Sequence, residues 1–261
     1  MKLGVPVLRG VIARRLLVNF RVKPEIVGRL LPPPFRPKLV RGWALAGICL
    51  IRLERLRPAF WPAVLGFSSE NAAHRIAVEW DAAGGRREGV FIPRRDSDSR
   101  LNQLAGGRLF PGIHHAALFR AWNSDNRFKV EMRSPDGDVF VRVAAQAVDA
   151  WPAGSVFQSL SEASAFFEAG SCGWSPNSHE DRFDGLELRT QNWHAEPMLV
   201  ERAESSFFQN RSAFPPCSIE FDCALLMRGI KHEWHTLGSM CAANQGRRAS
   251  RRRLCTFFEM P

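Results

Sequence analysis

The chain has 261 residues, of which 45% are hydrophobic and 24% are charged, and its formal net charge is +10 at pH 7. This composition is typical of a folded globular protein and excludes a chain that is disordered along most of its length. Arg9, Arg14 and Arg15 interrupt any apolar segment near the N-terminus, and no apolar run is long enough to cross a bilayer. We therefore expect a cytoplasmic protein with no membrane partner.

Apolar and polar residues alternate with a period of two along most of the chain, which predicts β-strands. In chain order, the clearest alternating segments are residues 15–22, 75–80, 139–143 and 219–228. Residues 42–57 contain almost no turn-forming residue apart from Gly47, and they predict one long strand bent at that glycine. We expect a mainly β protein of the α+β type with antiparallel strands.

Two short helices are predicted between the strands. The first begins at Pro24, because proline suits the first position of a helix, and it ends before the prolines at 32–34. The second follows Ser159 and Glu162, which have the spacing of a capping box, and it stops at Gly170. Residues 170–184 are rich in glycine, proline and asparagine and predict a long loop.

The positive charge is concentrated at the C-terminal end, where five arginines lie within residues 247–253. We expect one domain over residues 1–240, because no repeat or linker divides it, and a basic, mobile tail over 241–261. The other basic residues are spread thinly and are not interleaved with aromatic residues. This distribution argues against nucleic acid as a partner.

The sequence contains no clear metal or cofactor motif. The six cysteines show neither C-x-x-C spacing nor a dense framework, so we expect reduced thiols. His232 and His235 follow a predicted strand, but their spacing differs from H-E-x-x-H and no third ligand is evident. Phosphate-binding glycine loops and the G-x-S-x-G elbow are also missing. We therefore predict no metal and no cofactor.

Several longer stretches resemble a known protein family. They are G-F-S-S-E-N-A-A-H-R-I-A-V-E-W at 66–80, E-G-V-F-I-P-R-R-D-S-D-S-R-L-N at 88–102, G-G-R-L-F-P-G-I-H-H at 106–115 and F-D-C-A-L-L-M-R-G-I-K-H-E-W-H at 221–235. With these stretches and the turn R-L-L-P-P-P-F at 29–35, the chain resembles the YqjF-like family of conserved uncharacterised bacterial proteins, within the acetoacetate decarboxylase-like superfamily. The likeness extends from about Arg9 to His235. It implies an antiparallel β-barrel or cone with a few short flanking helices and a pocket that opens into its interior.

The resemblance also implies Schiff-base chemistry, which requires a lysine that this chain lacks in the corresponding region. In decarboxylases of the superfamily, a lysine in an apolar pocket attacks a keto group as a neutral amine. The corresponding region of this chain contains four arginines and no lysine: Arg94, Arg95, Arg100 and Arg108. Arginine stays protonated and cannot form the imine. Lys231, beside His232, is the remaining candidate, but its position does not indicate burial. We expect the barrel without Schiff-base chemistry.

Residues 93–100 follow an apolar strand and predict a loop that carries three arginines and two aspartates. Loops that leave a rigid scaffold often carry function. Arg94, Arg95 or Arg100 could clamp a carboxylate or phosphate through the planar guanidinium, with Asp96 orienting it. A salt-bridged surface loop explains the same pattern equally well.

Histidines are the candidate proton-transfer groups. His74 shares its strand parity with the apolar residues that follow it, so it is either an inward acid or base or a hydrogen-bonded core histidine. Glu70 and Asn71 precede it and are candidates for the barrel mouth. His114 and His115 are adjacent on a predicted strand, so at most one of them enters a barrel.

Two functions remain open from the sequence. In the first, the barrel binds a small organic acid, and if the protein is an enzyme its activity is lyase- or hydrolase-like, with arginine capturing the acid and histidine moving a proton. In the second, the protein is a noncatalytic ligand sensor or a protein-interaction module, and its interior holds an apolar metabolite. A homo-oligomer is compatible with both.

Overall fold

The computed structural model describes residues 6–99, 112–178 and 181–242. Within these ranges the helices are α1 Pro24–Leu30, α2 Leu160–Ala169 and one 3-10 turn at Ala63–Leu65. The strands are β1 Leu8–Val22, β2 Arg36–Pro37, β3 Leu39–Val40, β4 Trp43–Pro58, β5 Phe67–Ala82, β6 Gly85–Ser97, β7 His114–Ala116, β8 Leu118–Ser124, β9 Arg127–Arg133, β10 Phe140–Ala147, β11 Cys172–Pro176, β12 Arg182–Thr190, β13 Glu196–Ser205 and β14 Ile219–Cys241. None of the helices in the described part of the chain has the length and apolar character needed to span a membrane.

Seven strands form a closed ring. They are paired in the order β1, β4, β5, β6, β11, β12 and β14, and β14 pairs back with β1. All neighbours in the ring are antiparallel except β6 and β11, which are parallel. The predicted mainly β, mainly antiparallel fold is confirmed. Because side chains alternate along a strand, each ring strand directs one set inward and the other set outward.

The outward side chains of the ring pack against a second group of strands, β8, β9, β10 and β13. This core contains Val18 and Ile76 from the ring together with Val130, Val141 and Val143 from the second group. Alternating apolar residues in both layers therefore bury a continuous surface, which is the main stabilising contact between them.

A separate apolar cluster lies within the ring. It contains Leu17, Cys49 and Leu225 from three ring strands together with Ala163 and Phe167 from α2. The helix therefore closes part of the ring interior with its apolar face, as expected for an amphipathic helix.

Both predicted helices are present at the predicted positions. Proline occupies the start of α1. At the start of α2 the Glu162 backbone N–H donates to Ser159 Oγ at 3.2 Å, and Glu162 Oε2 accepts from the Gln158 N–H at 2.7 Å. These side chains satisfy N–H groups that have no partner within the helix.

Two local predictions in the C-terminal half of the chain were wrong. Residues 170–184 are not one long loop, because β11 lies within them and Trp174 pairs with Phe91 of β6 and Gly185 of β12. The strand predicted for 219–228 continues to Cys241, passing Gly229 with φ +66°, so the segment around His232 lies within β14. Turn-forming residues do not end a strand that has partners on both sides. The expected tail over 241–261 lies outside the described residues from position 243 onward.

Candidate functional site

A cavity of about 100 Å³ lies at the centre of the ring. Each of the seven ring strands contributes lining residues, among them Arg15, Cys49, Arg75, Arg95, Gly173, Leu188 and Trp234. A space lined by one face of every strand of a closed ring is the ring interior. Pockets for drug-sized ligands measure about 300–1,000 Å³, so this one suits only a compact molecule.

Most of the cavity wall is apolar. Ile51 and Leu53 of β4, Ile92 of β6, and Leu186 and Leu188 of β12 all face it. Apolar walls exclude water and strengthen the electrostatic effect of any charge inside, because the local dielectric constant is low.

Three arginines enter this apolar space, and the polar partners they find there are uncharged. Arg95 Nε donates to Ser175 Oγ at 2.8 Å. Arg75 donates to the Asn19 side-chain oxygen, and the cavity-lining Arg15 donates from Nε to Cys49 Sγ at 3.4 Å. No carboxylate among the described residues pairs with any of the three. Arg75 is buried, and Arg15 and Arg95 are half-buried. Guanidinium groups removed from water are normally paired with an anion, so this arrangement leaves positive charge available to a ligand.

Burial changes the pKa of two of these arginines. Desolvation lowers the pKa of Arg75 and of Arg95 to about 10 in each case. Both guanidinium groups still carry their charge at neutral pH. The Nε of Arg75 is buried without a hydrogen-bond partner among the described residues, and its Cζ lies 4.7 Å from the ring centroid of Phe167 on α2.

Cross-strand pairing aligns four cavity residues in one row. Cys49 of β4 lies opposite Ala73 of β5, Ala73 lies opposite Arg95 of β6, and Arg95 lies opposite His114 of β7. All four line the cavity. The small side chain of Ala73 leaves open space between the thiol and the guanidinium group.

A register shift in β6 decides which arginine faces inward. The pairing of β5 with β6 skips residues between Phe91 and Arg94, where Pro93 stands. Proline has no N–H to donate and is tolerated at such a bulge. The predicted loop over 93–100 is therefore wrong at its start, because β6 continues through the proline to Ser97. The shift turns Arg95 into the cavity.

Arg94 does not line the cavity, and it pairs with Asp96, which does line it. Arg94 Nη2 lies 2.8 Å from Asp96 Oδ1, and the Asp96 side chain is fully buried. Burial raises the pKa of Asp96, although the ion pair with Arg94 opposes this effect. Asp96 therefore orients Arg94 and not Arg95. Arg100, the third arginine of the predicted loop, lies outside the described residues.

The two adjacent histidines point in opposite directions. His114 lines the cavity beside Arg95, and burial together with the nearby Arg95 charge lowers its pKa to about 3. His115 is exposed and lies opposite Asp96. Only His114 can reach a molecule in the cavity, and it does so as a neutral imidazole.

His74 and Glu70 lie on the outward face of β5, away from the cavity. His74 is fully buried, and its Nε2 lies 2.7 Å from Ser205 Oγ. Glu70 Oε2 accepts from Arg14 Nη2 at 2.6 Å. Asn71 has the opposite parity and lines the cavity, where its Oδ1 accepts from Ser97 Oγ at 2.7 Å. The structure therefore does not bring His74 and Glu70 together with Arg95.

Three cavity residues were missed by the sequence reasoning: Arg15, Arg75 and Cys49. Alternation places Arg15 and Arg75 on the polar face of their strands, whereas the sequence predicts the inward residues on the apolar face, with His74. In this ring the more apolar face packs against the second group of strands, and the face with arginines lines the interior. Alternation separates two faces but does not identify which one is enclosed. The neighbours of Arg75 on its own face of the strand are the small residues Ala73 and Ala77. A charged residue between two small ones on one face is the signal in the sequence that could have indicated this position.

Comparisons with known proteins agree on the fold. Residues 12–213 match the model of the family DUF2071, described as an uncharacterized conserved protein. No match is found among curated protein sequences. An acetoacetate decarboxylase-like enzyme from Sphingomonas wittichii RW1 aligns with a TM-score of 0.57 at 14% identity, covering 92% of this chain and 93% of that one.

Two further solved structures give similar alignments. Acetoacetate decarboxylase from Legionella pneumophila aligns with a TM-score of 0.57 at 11% identity, over 89% of this chain and 87% of that one. The enduracididine biosynthesis enzyme MppR, complexed with pyruvate, aligns with a TM-score of 0.55 at 12% identity, over 93% and 92%. At these identities the likeness establishes a shared fold.

Proposed function

The chain belongs to the DUF2071 family of uncharacterized conserved proteins, and we propose that it binds a small carboxylic acid inside its ring of strands. The observation that carries this proposal is the set of three arginines, Arg15, Arg75 and Arg95, in an apolar cavity where their described partners are uncharged.

A bound carboxylate would supply the counterion that the cavity arginines lack among the described residues. A buried cation without a counterion is destabilising, whereas a carboxylate held by guanidinium N–H groups gains short, charge-assisted hydrogen bonds. The effect is larger here than at the surface because the surrounding side chains are apolar. The cavity is therefore selective for an anion over a neutral molecule of the same shape.

The size and walls of the cavity restrict the rest of the ligand. At about 100 Å³ it admits only a few non-hydrogen atoms beyond the carboxylate. Ile51, Ile92 and Leu188 favour a short apolar substituent. The complex of MppR with pyruvate gives an example of a compact carboxylate bound by a protein of this fold.

The lining residues do not favour imine chemistry. Among the described residues none of the side chains that line the cavity is a lysine, and Lys231 is exposed on β14. The proposed function is therefore binding of the acid by ion pairing and hydrogen bonding, without a Schiff base.

Thermal unfolding with a panel of small acids tests the proposal. Acetate, pyruvate and acetoacetate are each compared with the matching neutral amide. A ligand at ten times its dissociation constant stabilises the folded state by about 1.4 kcal/mol, so we expect acids of the panel to raise the Tm and the amides to leave it unchanged.

Arg95→Met provides the site-specific variant, and Arg87→Met, an exposed arginine on the same strand, is its control. We expect Arg95→Met to abolish the response to acids without lowering the Tm of the free protein, since it replaces a half-buried charge that has no carboxylate partner among the described residues by an apolar chain. The control should respond like the wild type. Equal shifts from acids and amides, or an undiminished response of Arg95→Met, would contradict the proposal.

A further inference from the structure

Cys49 lies at the point in the cavity where the positive charge converges. It is a free thiol and 7% exposed, and it lines the cavity from β4. Arg15 Nε donates to its sulfur at 3.4 Å. A guanidinium N–H that points at sulfur stabilises the thiolate, which is the nucleophilic form of cysteine.

The cross-strand row of Cys49, Ala73 and Arg95 leaves room for a small acid between the thiol and the Arg95 guanidinium. Cys49, Ala73 and Arg95 are direct neighbours on three consecutive strands. Neighbouring strands lie about 4.8 Å apart, so the Cα atoms of Cys49 and Arg95 are about 10 Å apart. Over Ala73, a compact acid whose carboxylate meets the Arg95 guanidinium directs its next carbon atoms toward the sulfur.

Arg75 gives a second and independent indication of a ligand beside the thiol. It is only 7% exposed, it lines the same cavity two residues from Ala73, and its Nε has no hydrogen-bond partner among the described residues. Buried donors are usually satisfied, so an unsatisfied one on a residue that lines a cavity is available to an acceptor that binds there. The thiol belongs to the apolar cluster within the ring and also borders the proposed anion site.

We propose that Cys49 is the nucleophile of the cavity and forms a covalent bond with a small carboxylic acid that carries an electrophilic carbon next to its carboxylate. This inference rests on the proposed function, because the arginines present the acid to the sulfur. It adds a reactive group and a substrate class, the 2-oxo or 2-halo acids.

The covalent step needs no further reactant. With a 2-oxo acid, the S–C bond forms, the carbonyl π electrons move to oxygen, and the thiol proton passes to that oxygen. With a 2-halo acid, the S–C bond forms as the carbon–halogen bond breaks, the halide leaves with the electron pair, and the thiol proton goes to solvent. Each step conserves atoms and electrons.

Alkylation kinetics test the inference with two probes of similar size. Iodoacetate is a 2-halo acid, and iodoacetamide is its neutral counterpart. The whole protein is treated with each reagent, and peptide mass spectrometry measures labelling at Cys49 and at the exposed Cys217 in the same sample. Electrostatic focusing raises the local concentration of an anion by about 10–1,000-fold, so we expect the rate ratio of iodoacetate to iodoacetamide at Cys49 to exceed that at Cys217 at least about tenfold.

Variants distinguish attraction of the anionic reagent by Arg95 from simple accessibility of the Cys49 thiol. Arg95→Met should lower the ratio at Cys49 to that at Cys217, and Arg87→Met should leave it unchanged. Acetate should protect Cys49 and not Cys217. Cys49→Ser should lose the label at position 49 and keep the label at Cys217, because it removes only the nucleophile of the cavity.

The outcomes distinguish this inference from the proposed function. If neither reagent labels Cys49 while small acids still raise the Tm of the wild type and not of Arg95→Met, the acid site stands and the nucleophile is refuted. If Cys49 and Cys217 give the same rate ratio, the inference is refuted as well. If iodoacetate labels Cys49 selectively and no acid raises the Tm, the nucleophile stands and the proposed reversible binding is refuted.

Discussion

Arg14 and Glu70 form an ion pair whose side chains are only 4% and 10% exposed, on the outward face of the ring. Arg14 Nη1 also donates to Asn123 Oδ1 of β8 at 3.2 Å, which links the ring to the second group of strands. Burial raises the pKa of Glu70 and lowers that of Arg14, while the attraction between the two groups opposes both changes. The pair therefore depends on both partners being present.

Glu70→Gln removes one charge and leaves the Arg14 guanidinium buried without a counterion. We expect a loss of about 3–5 kcal/mol in the free energy of unfolding, measured by urea denaturation. The control is Glu201→Gln, which removes an exposed ion pair with Arg127. Surface pairs contribute about 0–1 kcal/mol, so the control should lie close to the wild type. Equal losses in the two variants would show that burial does not set the strength of the Arg14–Glu70 pair.

At the scale of single elements, α2 links local sequence to the cavity. Its N-terminus is fixed by Ser159, and its Phe167 ring lies against the Arg75 guanidinium in the ring interior. A change at the first turn of this helix therefore affects the surroundings of Arg75, which lines the cavity.

Ser159→Ala removes the acceptor for the Glu162 N–H, and we expect it to lower the free energy of unfolding by about 1 kcal/mol. Ser161→Ala, at an exposed position inside the same helix, is the control and should have little effect or stabilise slightly, because alanine favours helix. Urea denaturation measures both. If the Ser159 cap does not contribute to stability, Ser159→Ala and Ser161→Ala will unfold at the same urea concentration.

The bulge in β6 shows how an irregular register decides which arginine lines the cavity. If β6 were paired without the skip between Phe91 and Arg94, Arg94 and Arg95 would exchange faces. Pro93 makes such a bulge compatible with the sequence, since it has no N–H to contribute to the ladder. Pro93 is visible in the sequence, but the number of β6 residues left unpaired at the bulge depends on how β6 pairs with β5.

At the scale of the whole molecule, the buried His74 and His232 and the half-buried His114 make stability depend on pH. Burial lowers the pKa of His74 and of His114 to about 3, and that of His232 to about 4. In the unfolded chain a histidine takes up a proton near pH 6.5. Between that pH and the folded-state values, only the unfolded state binds these protons, so stability is complete above about pH 6.5 and is lost as the pH falls.

Removing one of these groups should flatten that dependence. Each buried histidine contributes a slope of up to about 1.4 kcal/mol per pH unit, and we expect His74→Gln to reduce the slope by about 1 kcal/mol per pH unit between about pH 6 and pH 5. Urea denaturation at several pH values measures it. His194→Gln, at an exposed position, is the control. A slope that His74→Gln leaves unchanged would show that His74 takes up its proton in the folded state.

The sequence by itself determined the fold class, both helices and most strands. Period-two alternation, Pro24 and the Ser159 cap are local signals, and each acts within a few residues of its own position. The likeness to the acetoacetate decarboxylase-like superfamily was also readable from the stretches at 66–80 and 88–102. These signals depend on backbone propensity and side-chain pattern, which neighbouring residues carry.

Only the tertiary structure decided which face of the sheet is enclosed. Alternation identifies two faces of β5, one with His74 and one with Arg75, and closure of the ring turns the Arg75 face inward. The same closure, with the bulge at Pro93, brings Cys49 and Arg95 to one cavity from strands that are far apart in sequence. Strand pairing is a long-range interaction, so the candidate site follows from the register of seven strands and not from any one segment.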